Sequence, residues 1–353
     1  MGNIQKIPTT QKTGWPWNEE VDPILYGSDL SIWPKISIVT PSFNQGKYIE
    51  ETMRSILLQN YPNLEYIVMD GGSTDETIEI IKSYSPWISF WVSEKDKGQS
   101  DALVKGFNRS SGVLLNWINS DDFLSKNGLF NIAKAYISDS RLGFIHGRNS
   151  IVNLDSKEIG QLPHPKDNLS LRYFYEMPYG QQACFFSKQL YLKVGGINPY
   201  LRFSMDYELY LRMHLMGAKT IQIDETIGMY RHHEETKTNK MEEVMHKENG
   251  DAFTTFLFSL GESQKGNFMK SIGHKSLNSY QFNSELSKNK IRRAYCEYLN
   301  KNIWFYYNTQ KSKIASKIAI ELMRISPLKY VNWHMMKIAK DGINKINTYS
   351  LEK

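Results

Sequence analysis

Four short apolar runs, each followed by a polar turn or an amphipathic stretch, constrain this chain more than any other feature. "KISIVTP" is β-branched and closes at Pro41, "LEYIVMD" closes at Asp70, and "WISFWVS" and "VLLNWINSDD" follow. Between them, "KYIEETMRSILLQN" sets Ile49, Met53, Ile56 and Leu57 at helical spacing. "GGSTDETIEIIKSY" places Ile78, Ile81 and Tyr84 on one face, with Ser73 or Thr74 placed to cap, and "GQSDALVKGFNRSSG" reads as a helix closing on Gly112. Strands that are apolar throughout are buried on both faces. Their alternation with helices predicts an α/β fold with a mostly parallel central sheet flanked by helices.

After residue 140 the pattern changes. "GFIHGRNSIVNLDSKEIG" reads as a strand and a hairpin-like excursion, and "ACFFSKQLYLKVGGI" as a strand and a helix stopped by Gly-Gly. "MDYELYLRMHLMG" is a compact helix, and "AKTIQIDETIGMYRHH" gives one or two more strands. From about residue 240 the chain is Lys-rich and helical. "SKIASKIAIELMRIS" puts Ile314, Ile318, Leu322 and Ile325 on one stripe, and Pro327 ends it. The expected plan is an arm over 1–34, pinned by Trp15, Trp17 and Trp33, an α/β domain over 35–240, and a basic helical extension over 241–353.

The net charge of +6 is a mild basic bias, suited to anionic small ligands or an acidic membrane surface rather than to nucleic acid. The aromatic share of 13% suits a site for sugars or bases, or a membrane interface. Cys184 and Cys296 have no metal-type spacing, which points to a reducing compartment. The first twenty residues lack a signal-peptide core, Lys6 occupies the Ser/Thr position of a myristoylation motif, and no apolar run reaches membrane-spanning length. A cytoplasmic protein is expected.

In open α/β sheets the ligand lies beyond the carboxyl ends of the strands. "TPSFNQ", Asp70-Gly-Gly-Ser and "NSDD" all fall at such ends. Asp121 and Asp122 are adjacent acids whose repulsion a divalent cation would remove, and Mg²⁺ or Mn²⁺ on such acids commonly also holds phosphate oxygens. The plainer reading is a pair of acids that starts a helix.

"ISIVTPSFNQGKYIEETMRSIL", "MDGGSTDETIEII", "SEKDKGQSDALVKG" and "WINSDD" resemble the nucleotide-sugar half of family 2 glycosyltransferases with the GT-A fold; "GQQACFFSKQLYLKVGGINPYLRFSMDYELYLRM" and "MYRHHEETKT" resemble the acceptor half. The resemblance covers residues 33 to 240. It divides the α/β domain into a nucleotide-sugar half, 35–122, and an acceptor half, 123–240. It implies an inverting transferase that moves a sugar from a nucleotide-diphospho-sugar, UDP by default, to a glycan or lipid-linked acceptor, in surface polysaccharide or lipopolysaccharide synthesis.

It also implies roles. Asp70 accepts the base N–H, Pro41 meets the nucleotide, Asp121 lies near the ribose, and Asp122 is the principal ligand of a divalent metal, Mg²⁺ or Mn²⁺. Ser120 stands where many members carry the first acid of that motif. His233 reaches the metal or the diphosphate, and Arg231 pairs with phosphate. Asp206 matches the general base, although Met205 replaces the Glu that many relatives carry before it; the plainer reading is that it caps its helix. Asp96 and Lys105, with Lys97 and Asp101, are weaker candidates for donor contact, and Gln181 and Gln182 for the acceptor side. The basic C-terminal helices are read as a packing extension or as peripheral contact with the inner face of the cell membrane. Two rivals are a nucleotidyltransferase, disfavoured because "TPSFNQGKY" is not a glycine-rich phosphate loop, and a non-catalytic nucleotide-sugar-binding protein.

Overall fold

The computed structural model of the chain describes residues 5–164, 171–234, 236–278, 286–332 and 334–341. They fall into two compact units. One comprises Met1–Ser170 and Pro178–Glu248, the other Leu171–Met177 and Asn249–Lys353.

The first unit is built on a sheet of nine described strands. β1 (Ile36–Ser42), β2 (Leu64–Asp70), β3 (Phe90–Ser93) and β4 (Leu114–Trp117) pair in parallel in the order β3-β2-β1-β4. The connecting helices are α1 (Gly46–Leu57), α2 (Thr77–Tyr84) and α3 (Gln99–Arg109). β1 and β4 are buried along their whole length, as strands covered on both faces must be.

Beyond β4 the sheet is mixed. β5 (Phe123–Leu124), α4 (Gly128–Ser138), β6 (Phe144–Val152), β7 (Glu158–Gln161), β8 (Cys184–Ser187), α5 (Lys188–Lys193), α6 (Met205–Leu215) and β9 (Thr220–Arg231) follow along the chain. β8 runs antiparallel to β4 and β6, β9 runs parallel to β6, and β5 and β7 pair antiparallel at the margins. The parallel reading therefore holds for the first four strands and for the β6–β9 pair, while the remaining pairings are antiparallel. β6 and β7 are joined by a short hairpin, which only antiparallel strands allow. "AKTIQIDETIGMYRHH" is one twelve-residue strand.

The described part of the arm is built into this unit. Ile7, Val21, Tyr26 and Trp33 belong to the same buried cluster as Ile38, Met53 and Val68. Trp15 donates its indole N–H to the Leu124 carbonyl, and Trp33 donates to that of Tyr26. Arg54, on α1 and 1% exposed, donates to the carbonyls of Pro8, Pro16 and Trp17 and to the Tyr84 hydroxyl. Arg54→Ala would leave several buried acceptors unmet, at a cost on the order of 3 kcal/mol or more. The expected result is a lower melting temperature, with limited proteolysis cutting within residues 5–34 first; an unchanged melt would contradict this role.

The second unit is helical: α8 (Glu242–Ser259) from Asn249 onward, α9 (Ser263–Ser271), α10 (Lys288–Asn308), α11 (Ser312–Ile325) and α12 (Pro327–Tyr330), with residues 334–341 also helical. The short α7 (Lys237–Lys240) precedes them in the first unit. In α11, Ile318 and Leu322 are fully buried as the stripe predicted, while Ile314 and Ile325 are only partly so. Stacked Phe253 and Tyr298, with centroids 4.1 Å apart, join α8 to α10. No helix among the described residues is long and apolar enough to cross a membrane.

Candidate active site

The carboxyl ends of the first three strands are level. Ser42 pairs in register with Asp70, and Asp70 with Ser93. Asp70 is 1% exposed. Its carboxylate accepts the N–H groups of Gly72 and Ser73, at 3.1 and 2.9 Å, and the hydroxyls of Ser73 and Ser93, at 2.5 and 2.6 Å. Four donors fill a carboxylate's acceptor sites. Asp70 thus shapes the turn after β2, and a nucleobase N–H could reach it only by displacing one of them. Ser73 is spent here and on the Asn44 N–H, and Glu76, not Ser73 or Thr74, stands at the start of α2.

Pro41 is buried in β1 against Met69. Two residues on, Phe43 is 59% exposed, an aromatic face at the sheet edge that the sequence reading passed over. Its signal was an aromatic directly after a strand-ending Pro-Ser. Asp96 is half-buried and accepts the Gly98 N–H at 2.7 Å. A Cβ on Gly71 would lie 2.8 Å from the Asp96 carboxylate, so the glycine leaves room for that acid. Lys105 is paired with Glu94 and Asp101, both at 3.2 Å, and these carboxylates hold its pKa above the ordinary value. It lies on α3, and its ion pair with Glu94, the residue directly after β3, brings it to the edge of the strand ends.

After β4 the chain makes a turn in which the Asp122 N–H bonds the Asn119 carbonyl at 3.0 Å. The turn sends the two adjacent acids to different places. Asp122 is 2% exposed and accepts from the Arg231 backbone N–H, the Gln182 amide and the Asn119 amide, at 2.9, 2.5 and 3.1 Å. Burial and the charge of Asp121 push its pKa up, against those donors. Asp121 is more open, its side chain 24% exposed, and its carboxylate lies 3.4 Å from His233 Nε2. His233 is held by stacking on Tyr48, with centroids 5.2 Å apart. The geometry therefore pairs Asp121, rather than Asp122, with His233.

Gln182, one of the acceptor-side candidates, braces Asp122 and in turn accepts from Asn149 at 2.7 Å. Gln181 donates to Asn116 and to the Trp117 carbonyl. Arg231 is 1% exposed. Its guanidinium donates to the carbonyls of Asp121, Asn153 and Leu154, to the Ser156 hydroxyl, and to Glu51 at 2.7 Å. It is a buried clamp on the site's scaffold, with its donors turned to protein rather than to phosphate.

Asp206 opens α6 and accepts its neighbour Tyr207's N–H at 2.8 Å. Glu248 holds the segment before it by accepting the N–H groups of Arg202, Phe203 and Ser204, each at 2.9 Å. A helix start favours an anion. Here the crowding of protein around the partly exposed carboxylate wins, and its pKa is raised to about 6. Lys237 donates to Gln99 at 2.5 Å, and Gln99 donates to Asn119 at 2.6 Å. Asp121 and Asp206 both act electrostatically on Lys237, so the two acids share one charged neighbourhood.

No three or more His, Cys, Asp or Glu side chains among the described residues gather to hold a metal ion. Asp121 and His233 nevertheless provide one carboxylate and one imidazole within a shared reach. That donor set fits Mn²⁺ better than Mg²⁺, with phosphate oxygens and water completing the shell.

Residues 37–203 match the model of the family described as "Glycosyl transferase family 2". An uncharacterized glycosyltransferase of Mycobacterium tuberculosis, MT1564, is 32% identical over 191 residues, 52% of this chain and 70% of its own length. A putative teichuronic acid biosynthesis glycosyltransferase of Bacillus subtilis, TuaG, is 29% identical over 39% of this chain and 55% of its own. Among solved structures, S. aureus TarS 1–349 in complex with UDP superposes with a TM-score of 0.60 at 16% identity, covering 90% of this chain and 92% of that one. The mannosyltransferase PcManGT from Pyrobaculum calidifontis, in complex with GDP-Man and Mn²⁺, gives 0.51 at 16% identity, covering 95% and 84%.

Proposed function

The chain belongs to glycosyl transferase family 2 and is a glycosyltransferase, and from that premise we propose how its residues perform the transfer. A nucleotide-diphospho-sugar lies across the ends of β1, β2 and β4, with its base on the exposed face of Phe43 and near Asp96. Its diphosphate lies by Asp121 and His233. Asp206 receives the acceptor hydroxyl. As the acceptor oxygen bonds to the anomeric carbon, the bond from that carbon to the diphosphate oxygen breaks on the opposite face, and the hydroxyl proton passes to Asp206. One in-line displacement with no enzyme nucleophile inverts the configuration. A divalent ion on Asp121 and His233, when bound, offsets the charge that develops on the leaving diphosphate. Lys237, near both acids, adds positive charge beside it.

The observation that carries this reading is the pairing of an open acid and an imidazole at 3.4 Å with a second acid whose pKa is raised to about 6. The test is a thermal-shift and turnover panel of UDP-, GDP-, CDP- and dTDP-sugars with and without Mn²⁺. A ligand that binds only the folded chain raises its melting temperature with concentration. One nucleotide should stabilise the protein in a Mn²⁺-dependent way and be released as the diphosphate. A melt insensitive to every nucleotide would reject the proposed site. The relatives' names favour a surface polysaccharide as the product; a glycan or lipid-linked acceptor, met in the cytoplasm, completes the proposed reading.

A further inference from the structure

The second unit differs in charge from the first. Residues 249–353 carry 17 Lys and Arg against 7 Asp and Glu, a net +10, in a chain whose total is +6. Residues 1–248 carry 26 against 30. The positive charge of this protein therefore resides in its C-terminal third.

Within that unit, α10, the end of α11 and α12 border an open cavity of about 200 Å³, lined in part by Arg292, Arg293, Glu297, Ser326, Lys329 and Tyr330. Arg292 is fixed by a 2.7 Å bond to the Ile325 carbonyl, and Lys329 by a 2.6 Å bond to Glu297. Three cations thus face one carboxylate. Tyr330 is only 3% exposed, and the Lys329 ammonium lies against it, 5.0 Å from the ring centroid, so the hydroxyl and the cation share the cavity wall. On the same short helix, Leu328 is fully exposed, and Val331, just past its end, is 52% exposed.

We propose that this cavity binds the phosphate of an anionic phospholipid headgroup while Leu328 and Val331 enter the acyl region of the bilayer. Arg292, Arg293 and Lys329 meet the phosphate oxygens, and the Tyr330 hydroxyl donates to one of them. A volume of about 200 Å³ accepts a phosphate but is smaller than the sites that enclose a drug-sized ligand. A free phosphate would fill the cavity and leave Leu328 and Val331 in water; a lipid uses both. The +10 charge draws the unit to an anionic leaflet, and the aliphatic pair holds it there. The proposal does not depend on the transferase mechanism.

The experiment is cosedimentation of the full chain with vesicles of phosphatidylcholine alone and of phosphatidylcholine with phosphatidylglycerol. Binding is expected only to the second, weakening as salt rises. Arg292→Glu with Arg293→Glu should lower the partition coefficient by about tenfold or more, and Leu328→Asp by a comparable factor. Tyr330→Phe removes only the hydroxyl and should weaken binding a few-fold with no loss of melting temperature. Arg293→Ala, at an exposed position, keeps the test alive if a charge reversal misfolds. Sugar transfer to a soluble acceptor should be unchanged in all of them, which separates this test from that of the transfer chemistry. Equal binding to both vesicle types, or to neither, overturns the proposal. So does displacement by inorganic phosphate beyond the effect of chloride at equal ionic strength, with Leu328→Asp binding as the parent does.

Discussion

Asp206→Asn should abolish sugar transfer and at the same time stabilise the folded protein at neutral pH. The first effect follows from removing the group that takes the acceptor proton, worth about 10³-fold in kcat. The second follows from the raised pKa. The folded chain holds the Asp206 proton until about pH 6, whereas the unfolded chain releases it near the ordinary value of 3.8. The folded state thus binds more protons between those values, and its stability falls as pH rises from about 3.8 to 6. Above that window the cost of the buried charge is complete, on the order of 1–3 kcal/mol for a partly exposed group. Melting curves of parent and variant should converge near pH 4 and separate, with the variant higher, at pH 7.5. The parent's kcat/KM should rise with pH and level off with an apparent pKa of about 6. A variant that keeps its transfer activity would remove Asp206 from the chemistry.

The adjacent acids should respond in opposite ways. Asp121→Ala should keep the parent's melting temperature and lose Mn²⁺-dependent nucleotide binding, with transfer down about 100-fold or more. Asp122→Ala should instead unfold more easily, because the N–H groups of Arg231, Gln182 and Asn119 lose a buried acceptor. That loss is on the order of 3 kcal/mol, or about 4 °C in a chain of this size. Calorimetry of each variant, followed by nucleotide titration with Mn²⁺, separates the two. If Asp122→Ala melts as the parent does and fails only in nucleotide binding, the metal belongs to Asp122.

The sequence showed that acids gather at strand ends, because apolar runs mark the strands and the residues that stop them mark their edges. It did not show which of two neighbours faces outward. Side-chain alternation ends with β4, and the turn from Asn119 to Asp122 sets the directions of both carboxylates. Arg231 misled for a different reason. An arginine at a strand end looks like a phosphate ligand, but its acceptors come from Glu51, Asn153, Leu154 and Ser156, which no local pattern connects to it. The helix start at Asp206 is visible in the sequence, but the crowding that raises its proton affinity is not. The mixed half of the sheet was only partly legible, since short strands beside hairpins give weaker periodic signals than long apolar ones.

The bonds from Arg54 to Pro8, Pro16 and Trp17 bear on where this protein can be cut. A fragment starting at Lys35 looks natural from the sequence, because the strand-helix alternation begins there. It would strip away Val21, Tyr26 and Trp33 and leave a guanidinium facing an empty seat. The leading segment is the far wall of the catalytic body rather than a detachable handle, and any shortened version made for crystallisation or enzymology must retain it.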